Sequence, residues 1–260
     1  MALMQGSFMS EALERQVGFT AILPVDSFGP PMGEAKQDFK PLRTLYLLHG
    51  YSGNAPFWLT NYEMGKLSSE NNLAIIMPDG ENHFYTDDDT FGYGWGRFVG
   101  EELVEFTRRM LPLSDKPEDT IIGGFSMGGF GALLNGLTYR ETFGKIVSIS
   151  AALLTVGAEG PGHDDGFFRA LFGDNKKVPG SHHDPMAMAS KALEGGPVPD
   201  VYMACGTEDF LRELNLGMKK HLEEINYPKF TFEEDKGGHD MPFSTKYLFR
   251  GVARACGREV

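Results

Sequence analysis

The residue best placed to do chemistry is Ser126, at the centre of the segment Gly124–Gly128 (GFSMG). The segment follows the apolar run Thr120–Ile122, and small residues and then a helical apolar repeat follow over Met127–Leu137. This order predicts a strand that ends at or one residue beyond the run, turns sharply and continues as a helix, with the serine hydroxyl exposed as a nucleophile. The flanking glycines are needed because side chains there would collide with the neighbouring strand or helix. A glycine-rich turn with an incidental serine is the alternative, since the chain has 33 glycines.

A serine nucleophile needs a histidine that accepts its proton and a carboxylate that orients the histidine. In a parallel sheet these groups collect at the carboxyl ends of strands, in the chain order serine, acid, histidine. Asp209 follows the apolar run Val201–Cys205 and is the predicted acid. Phe210 and Leu211 are expected to begin an apolar helix face that anchors it, while Glu208 faces solvent. An aspartate at this point has the alternative role of a helix cap.

The predicted base is His239, on the glycine-hinged loop Gly237–Met241 that follows the strand-like run Lys229–Glu234. Of the seven histidines, it alone combines the right chain order with a position after a strand. A predicted helix over Phe243–Ala255 begins just beyond it. A surface histidine on a loop is the alternative interpretation.

Attack on an acyl carbonyl produces an oxyanion, and each backbone N–H that stabilises it lowers the barrier by about 3 kcal/mol. Met127 is expected to supply one such N–H because it follows Ser126 directly. The loop His49–Gly53 follows another predicted strand and is expected to supply the second through Tyr51. His49 is expected to brace this loop rather than to transfer protons.

Short apolar runs alternate with helical patterns along most of the chain. The runs predicted to be strands are Ser7–Leu13, Gln16–Pro24, Arg43–Leu48, Leu73–Met77, Thr120–Ile122, Lys145–Ser150, Val201–Cys205 and Lys229–Glu234. The predicted helices are Ala55–Asn71, Phe98–Leu111, Met127–Leu137, Gly166–Phe172 and Phe243–Ala255. This alternation predicts an α/β fold with a mostly parallel central sheet covered by helices on both faces. We expect a single domain over residues 1–260, with a small cap-like insertion over 154–199.

Composition argues against several classes of protein. The chain has 260 residues, 41% of them hydrophobic, which is enough for one large core. Its formal net charge of −12 opposes binding to nucleic acid or to anionic membranes. The first residues do not read as a signal peptide, and no run has transmembrane length. Cys205 and Cys256 cannot form a disulfide framework, so a cytoplasmic location is expected.

The long loop Glu81–Gly96 leaves a predicted strand end on the same side as the serine and is rich in aromatic residues. Tyr85 and Trp95 are the loop residues predicted to bind substrate, because aromatic walls suit apolar ligands. Packing of these rings onto the core is the alternative. Three clusters of acidic residues or histidines lack any recognised metal-ligand spacing, so no metal site is expected. These clusters are Asp87–Asp89, His163–Asp165 and His182–Asp184.

Five segments, taken in order, are similar to the esterase D-like branch of the α/β-hydrolases, and most similar to its tributyrin-esterase and feruloyl/acetyl-esterase group. They are LLHGYSGN at residues 47–54, MPDG at 77–80, GGFSMGGFGAL at 123–133, CGTEDFL at 205–211 and GGHDMPF at 237–243. The resemblance implies an α/β-hydrolase fold and a serine carboxylesterase that hydrolyses short-chain acyl or hydroxycinnamoyl esters through an acyl-enzyme, without a cofactor. It also implies the following site: a triad of Ser126, His239 and Asp209, with Tyr51 and Met127 as oxyanion donors. One departure is Met241–Ser244, where relatives often have an aromatic residue soon after the histidine.

Other functions fit the same motifs. A thioesterase of the S-formylglutathione type or an acyltransferase uses the same triad, and a non-catalytic binding protein keeps the fold without the reaction. Comparing the turnover of thioesters and oxygen esters, with and without acceptor alcohols, separates a thioesterase or an acyltransferase from an esterase. Fluorophosphonate labelling of Ser126 tests whether the protein is a non-catalytic binding protein. The expected partner is a small-molecule ester, with an acylated saccharide as one candidate. Assembly into a homo-oligomer is left open.

Overall fold

The core of the protein is one eight-stranded sheet, seen in a computed structural model that describes residues 1–26, 40–88, 90–154, 165–174 and 177–259. Its strands are β1 (Ala2–Ser10), β2 (Arg15–Leu23), β3 (Arg43–Leu48), β4 (Leu73–Pro78), β5 (Thr120–Phe125), β6 (Lys145–Ile149), β7 (Asp200–Gly206) and β8 (Phe230–Asp235). The strand order across the sheet is β1-β2-β4-β3-β5-β6-β7-β8. β2 pairs with β1 and β4 in the antiparallel sense, and all pairs from β4 to β8 are parallel. The predicted mostly parallel α/β sheet is therefore confirmed.

Helices lie on both faces of this sheet. They are α1 (Phe57–Asn61), α2 (Met64–Asn71), α3 (Trp95–Arg97), α4 (Leu103–Met110), α5 (Met127–Thr138), α6 (Asp165–Phe172), α7 (Pro185–Ala192), α8 (Arg212–Glu224) and α9 (Met241–Ala255). α1, α2 and α9 bury apolar side chains on one face, and α3 to α8 bury theirs on the other. Alternation along β3 feeds both cores, since Leu45 and Leu47 point into the first, and Tyr46 and Leu48 into the second.

Several element boundaries differ from the sequence prediction. β5 continues to Phe125 rather than ending near Ile122, because it keeps its pairing with β6 up to the pair of Phe125 with Ile149. The predicted helix over Ala55–Asn71 is two helices, with a break at Tyr62, whose backbone is extended. The helix predicted from Phe98 starts as a π-helical turn before α4.

The region predicted as a cap-like insertion contains α6 and α7. α7 packs against α5, and its Ala189 and Ala192 are buried in the core on that face. α6 buries Phe168 and Phe172 in the same core. Residues 155–164 and 175–176 lie outside the described residues, so a cap over this region stays a prediction. No helix within the described ranges is both long and apolar enough to span a bilayer.

Candidate active site

Ser126 occupies a strained turn between β5 and α5. Its φ of 60° and ψ of −119° are unusual for a residue with a side chain, a conformation that costs about 1–3 kcal/mol. Two backbone hydrogen bonds to neighbouring segments hold it there, in addition to the helical bond from Phe130 N: its N–H donates to Ile149 O at 3.0 Å, and its carbonyl accepts from Ala152 N at 3.0 Å. Both partners belong to the end of β6 and the loop after it. The turn is thus fixed by the adjacent strand, as the predicted strand-turn-helix unit requires.

The two glycines around the serine have no room for a side chain. A Cβ atom on Gly124 would lie 2.4 Å from the carbonyl carbon and oxygen of Gly128. A Cβ atom on Gly128 would lie 2.1 Å from the carbonyl oxygen of Leu48 at the end of β3. These are backbone atoms, which cannot rotate away. The glycine spacing is therefore a consequence of how tightly the turn packs against the neighbouring strand.

Ser126, His239 and Asp209 form one hydrogen-bonded chain. Ser126 Oγ lies 2.9 Å from His239 Nε2, and His239 Nδ1 lies 3.0 and 3.1 Å from the two carboxylate oxygens of Asp209. A carboxylate at Nδ1 fixes the tautomer that carries its proton there, which leaves Nε2 free to accept the serine proton. The structure thus brings together the three side chains that the sequence singled out.

The Asp209 side chain is completely buried after the end of β7. Burial raises the pKa of this carboxyl, but hydrogen bonds from His239 and from the Leu211 N–H outweigh it and hold the pKa below its usual value. Leu211 N donates to Asp209 Oδ1 at 2.8 Å. Asp209 therefore stays ionised and oriented beside the histidine at neutral pH.

The surroundings of His239 differ from the sequence prediction. Leu211 is buried as expected, but Phe210 is 63% exposed and does not anchor the helix. Instead the Phe210 ring packs beside the His239 imidazole at a centroid distance of 4.7 Å. Phe125 stacks on the imidazole from another side, at 4.5 Å with an interplanar angle of 30°. The available signal was position alone, since these rings come directly before the serine and directly after the aspartate.

The loop after β3 is braced by His49, as predicted. The side chain of His49 is buried, and Gly80 N donates to its Nε2 at 2.9 Å. The proton is therefore on Nδ1, which donates to Gly50 O at 2.8 Å. A turn closed by Gly53 N and Gly50 O at 3.0 Å follows. The bracing places Gly50 against the Ser126 side chain.

The two predicted oxyanion donors both lie beside the serine. Met127 is the first residue of α5, so its N–H has no acceptor within the helix and lies at the positive end of the helix dipole. Tyr51 lines the cleft around Ser126, and the residue is 37% exposed. Both residues thus line the same cleft as the serine, and their roles as oxyanion donors stay predictions.

The cleft at Ser126 has a volume of about 310 Å³, near the lower end of the range for small-molecule sites. Its described lining residues are Gly50, Tyr51, Phe57, Phe84, Phe125, Ser126, Met127, Ala152, Leu154, Phe210, Leu211 and His239. Most are apolar. Within the described part of the chain, no lysine, arginine or acidic side chain lines this cleft.

Tyr85 and Trp95 do not line the cleft, which corrects the prediction that they bind substrate. Tyr85 is completely buried below it, and its hydroxyl donates to His49 O at 3.0 Å. Trp95 is 2% exposed and stacks on His83 at 4.9 Å. The alternative interpretation, packing of these rings onto the core, is the correct one. From the same loop, Phe84 reaches the cleft instead.

The clusters considered as metal ligands have other partners where they are described. Asp87 Oδ1 accepts from the backbone of Gly96 at 2.8 Å, and Asp88 Oδ1 accepts from Thr90 at 2.6 Å. His183 is buried and its Nδ1 is hydrogen-bonded to Thr86 Oγ1 at 2.6 Å. The described residues contain no group of three His, Cys, Asp or Glu side chains placed to hold a metal ion. Asp89 and most of the cluster His163–Asp165 lie outside the described residues.

Comparison with known proteins gives a consistent result. The model of the family described as "Putative esterase" matches residues 10–239. The acetyl esterase of Caldicellulosiruptor saccharolyticus is 42% identical over 257 residues, which are 95% of this chain and 96% of that protein.

Two solved structures from Staphylococcus aureus share the fold. One is the substrate-bound fluorophosphonate-binding serine hydrolase FphF, with a TM-score of 0.86 and 29% identity. The other is the S-formylglutathione hydrolase FrmB as apoenzyme, with a TM-score of 0.83 and 29% identity. In both comparisons 98% of each chain is covered. The predicted α/β-hydrolase fold is confirmed.

Proposed function

The chain belongs to this esterase family and is a serine carboxylesterase, and from that premise we propose that Ser126, His239 and Asp209 hydrolyse small neutral esters through an acyl-enzyme. The observation that carries the proposal is the continuous chain of hydrogen bonds from Ser126 Oγ through both ring nitrogens of His239 to the carboxylate of Asp209. Nothing but this proton path is needed to make a serine nucleophilic at neutral pH.

Acylation begins with attack of Ser126 Oγ on the ester carbonyl carbon. His239 Nε2 takes the hydroxyl proton as the new C–O bond forms, and Asp209 stabilises the imidazolium through Nδ1–H. The Met127 N–H, at the positive end of α5, and the Tyr51 N–H donate to the oxyanion. Collapse of the tetrahedral intermediate breaks the bond to the alcohol oxygen, which receives the proton from Nε2. The acyl group remains on Ser126.

Deacylation reverses the roles with water in place of the alcohol. His239 Nε2 takes a proton from water as its oxygen attacks the acyl carbon, and the same two N–H groups stabilise the second oxyanion. Ser126 Oγ then leaves and recovers the proton, which releases the carboxylic acid. No cofactor enters any step.

The cleft supports a neutral, apolar substrate with a short acyl group. Its volume of about 310 Å³ and its apolar lining leave room for acetyl, butyryl or one hydroxycinnamoyl group. The similarity of the chain to an acetyl esterase also supports a small acyl group. The described lining offers no cationic side chain for the carboxylates of glutathione. This lining favours an oxygen-ester hydrolase over a thioesterase acting on S-formylglutathione.

The alcohol part of the ester faces the rim of the cleft, where the Tyr51 and Phe210 rings are exposed. Such rings offer flat apolar faces on which a sugar ring packs, so an acylated saccharide is our proposed alcohol component. Cys205 and Cys256 are buried free thiols, which fit a reducing cytoplasm. Assembly of the chain into a homo-oligomer is compatible with a cleft built by one chain.

A substrate panel with the Ser126→Ala variant tests the proposal. We expect the parent protein to hydrolyse acetyl and butyryl esters with a higher kcat/KM than octanoyl esters or S-formylglutathione. We expect Ser126→Ala to lose this activity while circular dichroism and melting stay close to those of the parent. Parent-level hydrolysis by the folded variant would contradict the serine mechanism. A kcat/KM that is highest for S-formylglutathione would instead contradict the proposed substrate class.

A further inference from the structure

Asn215 is a completely buried amide in the first turns of α8, and it is absent from the cleft lining. Its Nδ2 donates to Leu211 O and to Ala151 O, each at 2.9 Å, and its Oδ1 accepts from Ala151 N at 3.0 Å. Both amide donors are therefore used. One side chain thus connects the start of α8 to the loop that follows β6.

One end of this connection holds the acid. Leu211, whose carbonyl accepts from Asn215, donates through its own N–H to Asp209 Oδ1 at 2.8 Å. Arg212 N also donates to the Asp209 carbonyl at 3.0 Å. Asp209 and Leu211 therefore form a tight turn at the helix start, and the position of this turn depends on what fixes Leu211.

The other end holds the nucleophile. Ala151 exchanges two hydrogen bonds with the Asn215 amide, and the next residue, Ala152, donates its N–H to Ser126 O at 3.0 Å. The carbonyl of Ser126 is thereby tied to the loop that Asn215 clamps. The result is a second connection between Asp209 and Ser126, made through the Asn215 side chain and backbone groups, which does not pass through His239.

The physical chemistry of the site makes an amide necessary. A planar amide can donate to two carbonyls and accept from one N–H at once, which neither an aliphatic nor a carboxylate side chain can do. A leucine of similar size would leave the buried Ala151 N–H without its acceptor and would remove one of the two donors to each of the Leu211 and Ala151 carbonyls. An aspartate would set its charge against both carbonyl oxygens. Each change would let the acid turn and the Ser126 loop move independently.

We propose that Asn215 is a positioning residue that keeps the Asp209 carboxylate in register with the Ser126 turn, an inference that rests on the proposed catalytic roles of those residues. It acts through Leu211 and Ala151, and it touches no substrate. Because the proton path has two hydrogen bonds in series, a small relative displacement of the acid weakens both. A displacement of this kind affects kcat rather than substrate binding.

Asn135 provides a matched control. It is also a buried asparagine on a helix, and its Nδ2 donates to the carbonyl four residues earlier, Gly131 O, and to a loop carbonyl, Tyr85 O, each at 2.9 Å. It has no hydrogen bond to the acid turn or to the loop after β6 among these contacts. Asn135→Leu should therefore destabilise the fold in the same way as Asn215→Leu without displacing the Asp209 carboxylate.

The test measures kcat, KM and melting temperature for both leucine variants, alone and combined with Asp209→Asn. Asn215→Leu should lower kcat about tenfold to a hundredfold with KM little changed. Asn135→Leu should lower kcat less than about threefold, although both variants melt earlier than the parent. On the Asp209→Asn background, Asn215→Leu should lower kcat by a further factor of less than about three, because the carboxylate that Asn215 positions is already absent.

Three results would overturn the inference. One is an unchanged kcat in folded Asn215→Leu, and another is an equal loss with and without Asp209→Asn. The third is an equal loss of kcat in the Asn135 control. Unaltered activity of Asp209→Asn alone would instead refute the triad assignment on which the inference rests. If the leucine variants do not fold, the pair Asn215→Ser and Asn135→Ser gives the same comparison with a smaller, water-accommodating side chain.

Discussion

Gly128 packs so closely against Leu48 that a Cβ atom on the glycine would lie 2.1 Å from the leucine carbonyl oxygen. The contact joins the start of α5 to the end of β3, the two elements that carry Ser126 and the Tyr51 loop. The Gly128→Ala variant should therefore lose at least about 3 kcal/mol of unfolding free energy or fail to fold. Urea unfolding of purified protein measures this loss.

Gly217 provides the control for this substitution. It lies in α8, where a Cβ atom would meet nothing closer than Met186 Cε at 3.7 Å. Since alanine favours a helix over glycine, Gly217→Ala should stabilise the protein by about 0.5–1 kcal/mol. Equal effects of the two substitutions would show that the turn at Ser126 is looser than its contacts indicate.

Asp209→Asn should lower kcat about a thousandfold to ten thousandfold with little change in KM. The reason is that an amide no longer holds the proton on His239 Nδ1, so Nε2 loses its role as base. The variant keeps the size of the side chain, and its folding can be checked by circular dichroism. The neighbouring carboxylate supplies the control: Glu208 is exposed, and Glu208→Gln should keep near-parental kcat. A large loss in the control with a small loss in Asp209→Asn would assign the acid to Glu208.

Two aromatic substitutions separate packing from binding. Tyr85→Phe removes the hydroxyl that donates to the buried His49 carbonyl, so it should cost about 1–2 kcal/mol of stability and leave KM unchanged. Phe210→Ala removes an exposed ring at the cleft, so it should raise KM for aryl esters and leave the melting temperature nearly unchanged. Thermal melting and steady-state kinetics on both variants test the pair. A raised KM with unchanged stability in Tyr85→Phe would instead indicate that Tyr85 contacts the substrate.

The ion pair that ties the end of β8 to α9 predicts a pH-dependent stability. Hydrogen bonds from Lys246 and Tyr247 lower the pKa of Asp235 to about 2. Because the pKa is lower in the folded state, the contribution of Asp235 is present above the usual aspartate pKa and is lost as pH falls toward 2. The urea midpoint of Asp235→Asn should thus lie below that of the parent at pH 7, and the gap should narrow at pH 3. A gap that is constant with pH would contradict this assignment.

The parts of the fold and site that sequence could predict are those fixed by backbone chemistry. Gly124 and Gly128 mark the turn because no other residue fits against Leu48 and its neighbours. Asp209 and His239 are predictable because parallel strands bring their carboxyl ends to one edge of the sheet. Such constraints act on a few positions within a short segment, so they leave a pattern in the sequence.

The walls of the cleft could not be predicted in the same way. Tyr85 and Phe84 are adjacent aromatic residues of one loop, yet only Phe84 reaches the cleft, while the Tyr85 ring fills the space beside Gly80 and Gly131. Both residues have positive φ, so the side-chain alternation of a regular strand does not apply there. Glycines distant in sequence make the space that the Tyr85 ring occupies in the core. The local sequence around the two aromatic residues does not show which of them faces the cleft.

Covalent labelling with a fluorophosphonate, followed by mass spectrometry of the peptides, tests the central claim most directly. If Ser126 Oγ is activated by His239 at 2.9 Å, the folded protein should gain one adduct on the peptide that contains Ser126. His239→Ala should slow the labelling strongly, and Ser126→Ala should abolish it. Absence of an adduct in folded parent protein, or an adduct on another residue that persists in Ser126→Ala, would contradict the assignment of Ser126 as the nucleophile.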